Sequence, residues 1–375
     1  MKTRQLVWLP KTGWQTRAGA VENPQLVLFF AAPSAFKSEA LQGLSHLFPS
    51  ATVAGCSTGG EIIGPDVFDN AVVATAIEFE HSSIKTAATN VSKFTDSTTA
   101  GKNLAQQLSA PDLRMIIVLS DGLKVKGTEL ASAINSVCTQ QVAVVGGLAG
   151  DGANFSVTLC GVNGEYAPGM LVGIGIYGDH LAIGHGSQGG WDSFGPKRKV
   201  TRSEQNVLYE LDGEPALDLY KRYLGEESKN LPSSALLFPL SLELPTGQKG
   251  EVVRTILGVD EQQKSMTFAG DIPQGGVVRL MRANLDRLVL AAGTAAQNAD
   301  GNTNPQLAIL VSCIGRKLIL GQRAVEEAEA VSDALGSTCA TMGFYSYGEL
   351  CPLEKGGLAE LHNQTMTVST ISETN

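Results

Sequence analysis

Gln25-Leu-Val-Leu-Phe-Phe-Ala-Ala32 and the Gly-rich turn that follows it, Gly55-Cys-Ser-Thr-Gly-Gly-Glu61, open the segment that decides the fold. The first is an uninterrupted apolar run and reads as a buried strand. Ser34 to Leu47 then carries Phe36, Ala40, Leu41, Leu44 and Leu47 at helical spacing, on one face. Ala51 to Ala54 is a short strand that enters the glycine turn. Asn70 to Glu80 and Ser83 to Ala87 read as a second, paired set of strands.

Outward from that stretch the same order returns twice. Arg114-Met-Ile-Ile-Val-Leu-Ser120 is a strand, Thr128 to Cys138 a helix, and Val142 to Val145 a strand entering Gly146-Gly-Leu-Ala-Gly-Asp151. Gly169 to Tyr177 and Leu181 to Gly184 form its second pair. Near the C-terminus, Gln306-Leu-Ala-Ile-Leu-Val-Ser312 is the strand and Gly321 to Leu335 the helix. Thr338 to Met342 enters Gly343-Phe-Tyr-Ser-Tyr-Gly-Glu349, and His362 to Ile371 is the following strand. Each unit is strand, helix, strand, glycine turn, strand, in roughly 60–70 residues. Glycine at these turns permits positive φ and close backbone approach, to a neighbour or to a ligand. No Lys-Ser/Thr follows them, so they are not phosphate loops.

Between the second and third units lies a different stretch. Val207 to Leu211 is a strand, Pro215 opens a helix through Leu224, and Glu226 to Ser234 is a polar linker. Val252 to Leu257 and Ser265 to Phe268 form a hairpin, Val277 to Met281 a strand, and Asn284 to Asn298 a helix. The fold expected is α/β of the α+β kind: two domains of repeated strand–helix–strand–strand units with mixed sheets. The expected divisions are an N-terminal arm over 1–24 and domains over 25–208 and 209–375.

Composition narrows the partners. The 375 residues hold 28 Lys plus Arg against 37 Asp plus Glu, a net charge of −9 that argues against a nucleic-acid partner. No apolar run reaches the roughly 20 residues of a membrane span, and Met1 to Ala20 lacks the apolar core of a secretory signal. A cytoplasmic location without membrane insertion is expected. The six cysteines form no CxxC pair and are expected to be free thiols in a reducing compartment.

The ordered motifs resemble the FIST family of bacterial sensory proteins. Gly184-His-Gly-Ser-Gln-Gly-Gly-Trp191 is similar to the end of its N-terminal half, and Tyr209-Glu-Leu-Asp-Gly-Glu-Pro-Ala216 to the junction. Phe344-Tyr-Ser-Tyr-Gly-Glu349 and His362-Asn-Gln-Thr365 are similar to the last motifs of its C-terminal half. The resemblance extends from about Gln25 to about Ile371 and implies a small-ligand sensor of signal transduction that is not an enzyme. Its stand-alone form resembles nitric-oxide-sensing haem proteins that regulate a separate histidine kinase, which implies haem b. The alternative is a haem-free module for a small metabolite such as an amino acid, and a third reading is a scaffold with no ligand.

Haem requires an axial donor in an apolar pocket. His362 ranks first, because it matches the family's terminal motif beside the third glycine turn. His185, between glycines and near Trp191, ranks second, and Cys351 of Cys351-Pro352 third. Arg254, Arg279, Arg282, Tyr345, Tyr347, Glu349 and Asn363 complete the candidates. The arginines suit carboxylates, whether haem propionates or an amino acid. Ser57 is one residue out of register for a nucleophile elbow, and no local base serves Cys56.

Overall fold

A computed structural model describes residues 1–243, 251–300, 304–354 and 356–374. The N-terminal residues form a hairpin of β1 (Lys2–Leu9) and β2 (Gly13–Gly19). Repeat one comprises β3 (Leu26–Ala31), α1 (Ala40–Leu47), β4 (Thr52–Ser57), β5 (Glu61–Ile63), β6 (Asp66–Phe68), β7 (Val72–Glu78) and β8 (Ser83–Asn90), and α2 (Ser97–Leu108) leads out of it. Repeat two comprises β9 (Leu113–Ser120), α3 (Gly127–Asn135), β10 (Ala143–Leu148), β11 (Cys160–Val162), β12 (Glu165–Ala167), β13 (Met170–Tyr177) and β14 (Leu181–Gln188).

An inserted module follows, with β15 (Asp192–Glu204), β16 (Val207–Leu211), β17 (Glu214–Pro215) and α4 (Ala216–Leu224). Its remaining strands are β18 (Leu240–Glu243), β19 (Glu251–Arg254), β20 (Ile256–Asp260), β21 (Ser265–Phe268) and β22 (Val277–Arg282). α5 (Leu285–Asp300) returns to repeat three: β23 (Leu307–Cys313), α6 (Ile314–Leu320), α7 (Ala324–Leu335), β24 (Ala340–Ser346), β25 (Gly348–Pro352), β26 (Ala359–His362) and β27 (Met366–Glu373).

Each repeat builds the centre of one sheet from two parallel strands and an antiparallel third: β4-β3-β7, β10-β9-β13 and β24-β23-β27. That unit leaves both edges with unpaired N–H and C=O groups, which must find partners. The repeats satisfy one another cyclically. The hairpin after each glycine turn joins another repeat's sheet: β5-β6 beside β24, β11-β12 beside β4, and β25-β26 beside β10. The other edges receive β8 beside β13, β14 beside β27, and β1 beside β7.

One expectation is corrected by this exchange. β7 with β8, and β13 with β14, are consecutive strands of different sheets and not hairpins, because each second strand is the one that fills a neighbour's edge. β1, within the first 24 residues, fills the edge of repeat one's sheet beside β7. Strands also cross between the chain's two halves: β25-β26 complete a repeat-two sheet and β14 a repeat-three sheet.

The buried strands divide their residues between two cores. Leu26, Leu28 and Phe30 of β3, Met115, Ile117 and Leu119 of β9, and Leu307, Ile309 and Val311 of β23 share one central cluster. Phe30 and Phe344 meet there with ring centroids 4.5 Å apart, each burial stabilising by about 2–3 kcal/mol. The intervening residues face outward, Phe29 toward α1 and Val118 and Leu310 toward a cluster that includes α2, α3, α5 and α7. Burial on both faces explains why these strands read as unbroken apolar runs. Gly55, Gly146 and Gly343 lie over β3, β9 and β23, where a Cβ would collide with the carbonyls of Phe29, Val118 and Leu310. The inserted module has its own core around Leu208, Tyr220, Phe268 and Val278.

Candidate functional site

A cavity of about 450 Å³ opens between repeats two and three and the inserted module. It lies off the carboxyl ends of the parallel strands β9 and β23, where connecting loops diverge and open α/β sheets bind ligands. After β9, Asp121 accepts the N–H groups of Leu123 at 2.8 Å and Lys124 at 2.6 Å, and that of Gly169 at 2.7 Å. This Asx-type turn delivers Leu123 and the first turn of α3 to the cavity. α3 begins without a side-chain cap, so the positive end of its dipole borders the space.

A second wall comes from the second glycine turn. Asp151 accepts the N–H groups of Phe155, Ser156 and Val157, each at 2.8 Å, and the Tyr347 hydroxyl. Burial alone would raise this carboxyl, but those donors hold it below its ordinary range. The network keeps Phe155 at φ 49°, a left-handed conformation uncommon for a bulky residue. Its ring stacks on Tyr347 at 4.6 Å and remains 49% exposed at the cavity wall.

The inserted module supplies the third wall. Ile256, Leu257 and Leu236 are apolar, with Leu318 of α6 facing the same space. Thr255 is 5% exposed and its hydroxyl has no hydrogen-bond partner among the described residues. Asp271 has its pKa raised, by burial first, with no cation in ion-pair contact among the described residues. Its N–H donates to the Thr128 hydroxyl at 3.4 Å, so it lies beside the start of α3. Lys126 is already engaged by Glu129 and Gln205, each at 3.1 Å.

Of the candidates named from sequence, Tyr347 borders this cavity. His362 is 1% exposed; its Nε2 is 2.8 Å from the Cys351 carbonyl and its Nδ1 3.2 Å from Ser187 Oγ. Burial lowers its pKa to about 4, so it is a neutral brace between β26, β25 and β14 and a weak base. Burial pushes the Cys351 thiol up to about 12. His185 is half-buried on β14, whose Gly184 and Gly186 rest on the carbonyls of Ala299 and Ala295 in α5.

The expected arginine and tyrosine pocket does not assemble. Arg254, lowered to about 10 by burial, lies behind the cavity wall and donates to the carbonyls of Leu361 at 2.8 Å and Asp271 at 3.2 Å. Arg279 donates to the Gly195 carbonyl at 2.9 Å, and Arg282 lies 5.8 Å over Phe194. Tyr345 donates to the Ala324 carbonyl at 3.1 Å. Asn363 is buried, and neither polar atom of its amide has a hydrogen-bond partner among the described residues. These residues lie on alternate strand faces or in the exchanged hairpin, which disperses them.

Glu349 belongs to a repeated internal device. It accepts from Ser346 Oγ at 2.8 Å and from the Thr365 hydroxyl at 2.9 Å and N–H at 3.3 Å. Glu61 does the same with Thr58 Oγ1 at 2.5 Å and the Ala71 N–H at 3.2 Å. Each ties its glycine turn to the start of its own third strand, and burial raises both to about 8.

Haem does not fit this arrangement. No histidine borders the cavity among the described residues, and the nitrogens of His362 are engaged by protein atoms. Cys313 borders the cavity, but burial and Glu349 push its thiol up to about 12; the Tyr347 hydroxyl is spent on Asp151. Nor does any group of three or more ligating side chains gather for a metal among the described residues.

The fold and site define a small-ligand binding module in which three strand-exchanged repeats and one insertion frame a cleft. The chain belongs to the FIST family: residues 25–214 match the FIST N domain and residues 216–352 the FIST C domain. FIST domains are small-ligand sensing domains of signalling proteins. The chain is also 24% identical over 310 residues to the uncharacterized protein MJ1623 of Methanocaldococcus jannaschii. That similarity covers 75% of this chain and 58% of the relative, so the chain spans under two thirds of the relative's length. No helix among the described residues is long and apolar enough to cross a membrane.

Proposed function

We propose that this chain is a haem-free sensor of a small amphipathic metabolite, an amino acid with an apolar side chain, bound in the cleft. The observation that supports it is the juxtaposition of Asp271 with the uncapped start of α3 in a mainly apolar cavity. Asp271 would take an ammonium group, the α3 N–H groups a carboxylate, and Leu257, Leu318 and Phe155 the side chain. The Thr255 hydroxyl, unpartnered among the described residues, would gain a hydrogen bond on binding. A ligand touching both the repeats and the inserted module favours the closed relation of the two, which a separate signalling partner in the cytoplasm, such as a histidine kinase, could read.

Thermal stabilisation by leucine and phenylalanine, compared with 4-methylpentanoate and isopentylamine, tests this reading. Saturable stabilisation by the amino acids alone is expected, reaching about 2.7 kcal/mol at a hundredfold excess over Kd. Asp271→Asn and Thr255→Val should weaken it while the proteins remain folded. A one-equivalent Soret band lost in His362→Ala, with no response to any amino acid, would overturn it in favour of haem.

A further inference from the structure

The six cysteines are scattered in sequence, but strand exchange brings two of them together. Cys56 on β4 faces Cys160 on β11 in the antiparallel ladder that joins repeat two's hairpin to repeat one's sheet. The Ser57 N–H donates to the Leu159 carbonyl at 2.7 Å, which makes Cys56 and Cys160 a non-hydrogen-bonded pair. Such pairs hold their Cα atoms about 4.5 Å apart with side chains on one face. Disulfides span Cα separations of about 4.4–6.8 Å. Both residues are fully buried. Elsewhere the ladders pair Cys313 with Ser346 and Cys351 with Glu360, and Cys138 and Cys339 lie outside strands.

We propose that Cys56 and Cys160 form a reversible disulfide, a redox-modification site that fastens the Phe155 loop to the first glycine turn. Cys160 ends the segment that starts at Asp151 and carries Phe155. The adjacent Leu159 is held to repeat one by hydrogen bonds with Ser57, its N–H donating to Ser57 Oγ at 2.9 Å. β11 and β12 are three-residue strands at the edge of their sheet, so local opening exposes the pair without global unfolding.

On opening, one thiol loses its proton to solvent. The thiolate attacks a peroxide oxygen, and the O–O bond breaks to give a sulfenic acid and, once protonated, water. The second thiol attacks the sulfenic sulfur, the S–S bond forms, and a second water leaves. Two thiols are oxidised and one hydrogen peroxide is reduced. The resulting tie fixes the loop at both ends, through Asp151 and through the disulfide.

The full chain, reduced and then treated with hydrogen peroxide, is denatured, alkylated with iodoacetamide and digested for mass spectrometry. A Cys56–Cys160 linked peptide, reversed by dithiothreitol, with the other four cysteines alkylated, is expected. In the native oxidised protein, hydrogen exchange over residues 152–159 should slow by about tenfold or more. Cys160→Ser should abolish that slowing. Alkylation of all six cysteines after oxidation, or linkage mainly through other cysteines, overturns the pairing. A linked peptide with unchanged exchange in the loop overturns its role as a fastener. The peptide map of the unmutated chain decides the pairing even where the serine variant folds poorly.

Discussion

Replacing Glu349 by Gln should stabilise this protein at alkaline pH, although it removes a buried charged-type residue. The carboxyl is fully buried, and burial raises its pKa from the ordinary 4.5 to about 8. Below pH 4.5 it is protonated in both folded and unfolded chains, and its contribution to stability is fully present. As pH rises toward 8, the unfolded chain releases the proton and the folded chain keeps it, so stability is lost through that window. The full displacement corresponds to about 5 kcal/mol, an upper bound that relaxation and water entry reduce. Gln has the same shape and no proton to release. Its oxygen can accept from Thr365 and its amide can donate to the Ser346 hydroxyl, which rotates to accept. Urea unfolding at pH 5, 6, 7 and 8 measures the difference. E349Q should lie within about 1 kcal/mol of the parent at pH 5 and exceed it by about 2–4 kcal/mol at pH 8. A constant destabilisation at all four values would show that the folded state holds a carboxylate, and would refute the reasoning. Glu61 accepts from Thr58 Oγ1 and the Ala71 N–H in repeat one and is likewise raised to about 8 by burial, so E61Q should show the same pH signature.

Three further outcomes follow from the same geometry. Asp151→Ala removes the acceptor for three N–H groups and the Tyr347 hydroxyl; it should cost about 2–4 kcal/mol and open residues 152–157 to limited proteolysis, read by peptide mapping. His362 has its folded pKa lowered to about 4, so the stability it contributes is present above 6.5 and lost as pH falls toward 4. His362→Gln should flatten that acid limb in urea titrations, by up to about 3 kcal/mol. Gly343→Ala places a Cβ against the Leu310 carbonyl and should cost more than about 3 kcal/mol, whereas Gly336→Ala, strained in φ but facing open space, should cost about 1 kcal/mol by thermal melting.

The candidate site was the least legible part of the sequence. Thr255, Asp271 and Phe155 carry no motif, and they meet only because the inserted module folds back over the ends of β9 and β23. A signal for Asp151 existed in the second glycine turn, but its acceptor role depends on Tyr347 arriving from repeat three. His362 illustrates the opposite error: a histidine at the start of a predicted strand was expected to face a ligand. The real chain breaks between β26 and β27, and the exchange of β26 seals that imidazole against Cys351 and Ser187.

What the sequence determined by itself is the repeat. The apolar runs at Leu26, Met115 and Leu307 demand strands buried on both faces, because only a sheet covered on each side accepts them. The glycines at 55, 146 and 343 mark where a second strand crosses too close to a first for any Cβ. Periodicity locates α1, α3, α4, α5 and α7; α2 is missing from that reading, and so is α6, whose seven residues are too few to show a period. Which repeat each edge strand would complete was decided only in three dimensions. The short sequences of β5, β11 and β25 specify no partner, since any unpaired edge of the right register satisfies the same backbone groups. Closure of the three sheets around one core selects the exchanged arrangement. The cleft, the dispersal of the arginines and the meeting of Cys56 with Cys160 are consequences of that selection.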